Sequence, residues 1–254
     1  MLNLYFMYPT LPFGPLSLPT APFVVLLAAT LALEISSRYG RRLGLAADDV
    51  WNTGMIALLA GLVVARLWNV VQLWPIYLDE PGLILSLRPS GFALVPGVVA
   101  ALLAAYANLL RRALDPVRMA AAFAVGALAG GVVLSAGAYL TGSVVGTASD
   151  VPWALPYFGE RRHPVALYQA LLIWLLFTVL LLRRGRDRPG RTILLAGWGY
   201  ALIRLCTDAF VDEPVLIGSL RQSQVVALVV GLALTLLLAR KPTAAESADP
   251  AGHC

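Results

Sequence analysis

Few side chains in this sequence can do chemistry, and most of those that can fall in two short groups. The first is Arg161-Arg162-His163-Pro164-Val165-Ala166-Leu167-Tyr168, where two guanidinium groups and an imidazole precede a long apolar run. Proline suits the first position of a helix, where its missing N–H is no loss, so the stretch predicts a helix opening at Pro164. Arg161, Arg162 and His163 then gather at a helix N-terminus, whose free N–H groups already favour an anion. A basic cluster resting on lipid headgroups is the plainer reading of the same residues. Tyr168 reads first as an interfacial anchor and second as a ligand contact.

The second group is Tyr200, Arg204 and Asp208, spaced by four, which places all three on one helix face. This is either an ion pair beside an interfacial tyrosine or a cation steadied so that it can grip an anionic ligand. Arg66 and Asn69 form a shorter polar patch, which hydrogen bonding between helices explains equally well. His253 and Cys254 have the spacing of no metal site, and the sequence points to no metal and no cofactor.

These residues must be held by apolar elements. The 254 residues are 59% hydrophobic and 13% charged, against about 25% charged in an ordinary soluble domain. No soluble core of this length could absorb that much apolar surface, so the sequence predicts an all-α, polytopic integral membrane protein. Crossing the hydrocarbon takes about 20 apolar residues. Seven candidates meet that length: 18–37, 51–73, 91–111, 117–140, 165–183, 191–208 and 221–239. The first 17 residues, broken by proline and glycine, read as an interfacial lead-in. Residues 1–240 make one membrane domain, and 241–254 a polar, disordered cytoplasmic tail. The first basic residue, Arg38, follows the first apolar run, the reverse of a cleaved signal peptide.

Basic residues set the expected orientation. Arg38, Arg41, Arg42, Arg111, Arg112, Arg118, Arg183, Arg184, Arg186, Arg188, Arg191, Arg240 and Lys241 fall at one end of the predicted bundle. Arg88, Arg161, Arg162 and Arg221 fall at the other. The richer end should be cytoplasmic, with the N-terminus outside and the C-terminus inside. Because the cations lie in short blocks between apolar runs, the net charge of +5 indicates no nucleic-acid partner. Arg66 and Arg204 lie inside spans, where an arginine costs roughly 2.5–3.5 kcal/mol at the centre; each sits toward the outer end and can snorkel.

The fourth span carries Gly126 and Gly130 at the spacing that lets membrane helices approach closely, and later glycines with Thr141 and Ser143 that would end it near the outer face. A transporter is hard to build, since within the spans only Glu34 and Asp208 are carboxylates, one at each end. A retinal pigment is excluded, because the single lysine, Lys241, lies outside every span.

At these residues the sequence resembles the prolipoprotein diacylglyceryl transferases, seven-span enzymes of the bacterial cytoplasmic membrane. Gly61-Leu62-Val63-Val64-Ala65-Arg66-Leu67 resembles a Gly-Ala-Arg segment of that family's second helix. Arg162-His163-Pro164-Val165-Ala166-Leu167-Tyr168-Gln169-Ala170 is similar to its Arg-His-Pro-x-Gln-Leu-Tyr-Glu-Ala. Gly199-Tyr200-Ala201-Leu202-Ile203-Arg204 resembles its Tyr-Gly-x-x-Arg helix, with Asp208 where a glutamate is usual, and Ser223-Gln224-Val225 its Gly-Gln entry to the last helix. The family's signature, Gly-Arg-x-Gly-Asn-Phe-x-Asn-x-Glu-x-x-Gly, falls on Leu134 to Gly146 and keeps only Gly137 and Gly146. Its arginine falls on Ser135, its asparagines on Ala138 and Thr141, and its glutamate on Ser143. A third-helix histidine falls on Val95 and a first-helix tyrosine on Ala21.

The resemblance implies transfer of a diacylglyceryl group from phosphatidylglycerol to the cysteine thiol of a prolipoprotein signal segment, among membrane lipids. It implies catalytic roles for His163, Arg204 and Tyr200, and substrate binding by Arg66, Arg162, Tyr168, Asp208 and Gly146. The reaction needs cations to hold a departing phosphate, and a base, since a free thiol of pKa about 8.5 is mostly protonated at neutral pH. A relative that binds phospholipid or lipoprotein without this transfer, or uses another acceptor, is the alternative that the replaced signature residues leave open.

Overall fold

The computed structural model describes residues 10–13, 16–85, 91–157, 159–183, 188–212 and 214–240. The segment 241–254, expected to be a disordered tail, lies outside them, as do residues 1–9 and 14–15 of the expected lead-in. The helices are α1 (Thr20–Arg42), α2 (Ala47–Gln72), the short α3 (Trp74–Asp79), α4 (Leu94–Arg112), α5 (Pro116–Thr141), α6 (Val165–Leu182), α7 (Pro189–Thr207) and α8 (Gln222–Ala239). All but α3 are long and apolar enough to cross a membrane, so the chain is an all-α polytopic membrane protein, with seven such helices among the described residues. Their ends lie within a few residues of those expected. The largest difference is α1, which runs on to Arg42 because Tyr39 is buried and Arg41 and Arg42 complement the negative helix end.

The cap chemistry explains several ends. Asp115 caps α5 by accepting from Val117 N at 2.8 Å and Arg118 N at 3.1 Å, with Pro116 in the first turn. At its far end Gly142 takes φ 73°, and Ser143 N returns to Ala138 O at 3.1 Å, ending the helix where the glycines suggested. Proline fares differently at α6. Pro164 stands just outside the helix, at ψ 65°, rather than in its first position. Val165 N turns back to His163 O at 2.9 Å, and that bend keeps Pro164 from helical geometry.

Small residues bring the helices together, since lipid tails supply no hydrophobic drive between them. On α5, Gly126 lies against Ala32 O and Ser36 Oγ of α1, and a Cβ on Gly130 would meet Ala28 O at 2.9 Å. Between α2 and α4, a Cβ on Gly61 would meet Gly97 O at 3.0 Å and Ala101 Cβ at 3.1 Å. α5 is the most enclosed of the seven and α8 the least, so α5 forms the axis on which α1, α6 and α7 pack.

The two ends of the bundle differ. At one, Arg42 Nη1 donates to Leu181 O at 3.2 Å, Arg118 Nη1 donates to Leu43 O at 3.3 Å, and Arg112 pairs with Asp49. A buried cluster of Tyr39, Val50, Met119 and Val125 underlies it. At the other end, the segment before α1 and two connections between helices form short antiparallel pairs: β1 (Thr10–Phe13) with β2 (Leu16–Pro19), β3 (Leu155–Tyr157) with β4 (Glu160–Arg162), and β5 (Leu216–Ile217) with β6 (Leu220–Arg221). Residues 145–149 run between β4 and the segment after α7. Thr147 N donates to Phe210 O at 2.8 Å and His163 N to Thr147 O at 3.1 Å.

Candidate active site

The segment 145–149 is what brings Arg162 and Arg204 together. Asp212 N donates to Val145 O at 2.9 Å, and isolated bridges join Gly146 to Val211 and Ala148 to Arg162. Gly146 is required by this closeness, because a Cβ there would overlap the carbonyl oxygen of His163. The connection after α5, the end of β4, α6 and the end of α7 thereby enclose a cavity of about 510 Å³. Its wall is Ser143, Val144, Val145, Arg162, Gln169, Arg204, Val211 and Asp212. Ser143, Val144 and Val145 belong to the stretch where the signature resemblance failed, and Ser143 stands where that pattern has its glutamate.

Arg204 is steadied from behind. Its Nε and Nη2 reach Asp208 Oδ2 at 3.0 and 2.9 Å, while Asp208 is only 1% exposed. The other carboxylate oxygen, Oδ1, accepts from Gln169 Nε2 at 3.2 Å, and Gln169 also donates to Thr207 Oγ1 at 3.2 Å. Arg221 Nη1 closes the turn by donating to the carbonyls of Asp208 at 2.9 Å and Val211 at 2.7 Å. The i,i+4 spacing thus yields an ion pair whose carboxylate is buried and whose cation reaches a cavity wall. Tyr200, one turn earlier on α7, is 43% exposed and lies off that wall among the described residues.

Arg162 is held from the front. Its Nη1 pairs with Asp212 and donates to Gly146 O at 3.1 Å, and its Nη2 meets Glu160 Oε2 at 3.1 Å. Its Nε is buried with no acceptor among the described residues. A strand sends successive side chains to opposite faces, so the adjacent Arg161 leaves the cavity and ties the carbonyls of Val151, Pro152 and Ala154 at 3.1–3.4 Å. The expected gathering of Arg161, Arg162 and His163 is therefore divided. Nor is the first turn of α6 an open anion cradle. Val165 and Ala166 are buried, and Leu167 N and Tyr168 N donate back to Pro164 O at 3.0 and 3.1 Å.

His163 lies beside the cavity rather than on its wall. Its ring packs on Phe210, centroids 4.9 Å apart, and its Nδ1 is 3.2 Å from Tyr168 Oη. Trp153 Nε1 donates to the same hydroxyl at 2.9 Å, so Tyr168 orients the imidazole. Arg66 is elsewhere. Its guanidinium donates to Ile84 O at 3.0 Å, Gly91 O at 2.6 Å and Leu83 O, and lies over the rings of Tyr77 and Phe92. It fastens the connection between α3 and α4 instead of facing Arg162 and Arg204. Tyr77 joins that clamp by donating to Asn69 Oδ1 at 2.8 Å.

Sequence reasoning missed Gln169 and Asp212. Gln169 directly follows Tyr168 in the motif, but nothing in its spacing says that it turns toward α7. Asp212 extends the four-residue spacing beyond Asp208, yet α7 has ended at Thr207, so helical periodicity says nothing of its position. The chemistry available here is that of two arginines facing one chamber. Such a pair can bind a phosphate ester and stabilise charge that grows on it.

A sequence profile of the family described as prolipoprotein diacylglyceryl transferase matches residues 10–240. Among curated proteins, a phosphatidylglycerol–prolipoprotein diacylglyceryl transferase of Clostridioides difficile is 28% identical over 200 residues, covering 78% of this chain and 81% of its own length. One of the same name from Finegoldia magna is 23% identical, covering 84% and 87%. Another, from Synechococcus elongatus, is 28% identical, covering 85% and 81%.

Proposed function

The chain belongs to the prolipoprotein diacylglyceryl transferase family, and from that premise we propose that it transfers a diacylglyceryl group from phosphatidylglycerol to a prolipoprotein cysteine. The observation that carries this reading is the meeting of Arg162 and Arg204 on one cavity wall. In the reaction a thiolate sulfur attacks the glycerol carbon that bears the phosphate. The C–S bond forms as the C–O bond breaks, and glycerol phosphate leaves with the bonding pair. One negative charge thus moves from sulfur to the phosphate oxygens. Arg162 and Arg204 would meet that charge, with Gln169 and Asp208 holding Arg204 in place. Loss of one such donor typically costs 10²–10³ in rate.

The proton leaves the thiol with help from His163, whose reach Tyr168 sets through Nδ1. Tyr200 would bear on acyl chains next to Arg204, and Gly146 on the cavity rim. On the same reading the protein sits in a bacterial cytoplasmic membrane, with the cavity at the outer end and the arginine-rich end in the cytoplasm. That orientation follows the positive-inside rule. A second reading, a relative that binds anionic lipid without transferring it, draws support from one observation. His163 is turned onto Phe210 and Tyr168 beside the chamber rather than into it.

The test is purified protein in phosphatidylglycerol nanodiscs with a lipobox peptide, alongside Arg204→Ala and His163→Ala. Thioether product from wild type, lost with Arg204→Ala, supports transfer. Lipid binding without product establishes the second reading. Product formed at an unchanged rate by both variants would leave the activity but remove these residues from it.

A further inference from the structure

The cavity wall carries two cations and one anion. Besides Arg162 and Arg204, the charged group on its wall is Asp212, ion-paired to Arg162 and 40% exposed. Behind the wall, Asp208 cancels Arg204, while Glu160 lies on the outer side of Arg162 and Arg221 on the turn carbonyls. The wall groups by themselves sum to one positive charge, which Asp208 offsets from behind. A carboxylate on Arg162 Nη1 also occupies a position that a phosphate oxygen would take, while Arg162 Nε has no acceptor among the described residues.

We propose that Asp212 sets the charge selectivity of this cavity, favouring a singly charged phosphodiester over a doubly charged phosphomonoester. The inference rests on the transferase reading and deepens it, because the two ligand classes are that reaction's substrate and product. A phosphodiester such as phosphatidylglycerol carries one negative charge. The departing glycerol phosphate is a monoester and carries about −1.5 to −2 at neutral pH. Asp212 repels that added charge and competes for Arg162, so the product is released as the site returns to its resting ion pair. The transition state bears the same repulsion to a smaller degree, because charge has moved onto the phosphate only in part.

A unit charge about 6 Å from a carboxylate changes affinity roughly threefold at the dielectric of water and roughly a hundredfold at an effective dielectric of 20. A chamber open on one side lies between, at about tenfold. The experiment measures binding of two soluble probes, glycerol 1-phosphate and the diester glycerophosphoglycerol, by calorimetry on the full chain in neutral-lipid nanodiscs. Wild type, Asp212→Asn and Asp212→Ala are compared at pH 8 and pH 5.

At pH 8 both variants should tighten the monoester about tenfold relative to the diester. At pH 5 that relative gain should shrink, because the monoester has then lost its second charge (second pKa about 6). An equal change for the two probes, no change, or no binding of either probe to any form would overturn the proposal. The transferase reading is judged by thioether product. Selectivity altered without product in wild type would sink transfer alone, and product with unaltered selectivity would sink this inference alone.

Discussion

Replacing Asp208 by asparagine tests the geometry behind Arg204 without changing its shape. Each carboxylate oxygen accepts from a different neighbour, Oδ2 from Arg204 and Oδ1 from Gln169. Asparagine has one acceptor oxygen and one NH2 group, so it cannot accept from both neighbours as they stand. If the oxygen serves Arg204, its two contacts survive as hydrogen bonds from a charged donor to a neutral oxygen, but the attraction between the two charges is lost. If it serves Gln169, Arg204 loses both contacts as well. The direct loss is about 2–4 kcal/mol, the attraction of two charges about 4 Å apart at an effective dielectric of about 20–40. Because the Arg204 side chain is 37% exposed, water recovers part of it. The lower figure, about 2 kcal/mol, corresponds to roughly thirtyfold in rate if the lost energy is energy of positioning.

The assay is initial-rate transfer from phosphatidylglycerol to a lipobox peptide for Asp208→Asn, Arg204→Gln and the double variant. Asp208 is expected to act through Arg204, so the double variant should be no slower than Arg204→Gln alone. Unchanged KM for the peptide would separate lost lipid grip from general damage. Asp208→Asn working within threefold of wild type, or effects that simply multiply, would refute the positioning role.

Other substitutions probe the rest of the frame. Gly146→Ala forces a Cβ onto the His163 carbonyl; thermal unfolding should show a loss of about 1–3 kcal/mol, and transfer should fall as the wall separates. Arg66→Ala strands the carbonyls of Leu83, Ile84 and Gly91. It should lower thermal stability by about 1–3 kcal/mol and leave KM for phosphatidylglycerol within twofold, whereas a large KM effect would return Arg66 to the substrate site. Tyr157 Oη donates to Tyr139 O at 3.2 Å, and burial, then the neighbouring Tyr139, raises its pKa above the ordinary phenol value. Stability from this raised group is fully present below the unfolded pKa of about 10 and is lost as pH climbs through the higher folded value. In a pH series of unfolding midpoints, Tyr157→Phe should flatten the decline above about pH 10 and change nothing in its shape below.

The sequence by itself determined the membrane architecture, because span length and apolar content are local properties read one segment at a time. It also picked out Arg162 and Arg204, as cations are costly near lipid and stand out wherever they occur. It could not separate Arg162 from Arg161, since that choice depends on which face of β4 meets the bundle. It could not tell that Arg66, alike in kind to Arg204, spends its donors on backbone carbonyls 17 to 25 residues away. Gln169 and Asp212 gained their places only when the connections after α5 and α7 folded against β4. Helical periodicity stops at Gly142 and Thr207, and beyond those points only the tertiary hydrogen bonds among residues 145–149, 161–163 and 208–212 decide which side chains share a chamber.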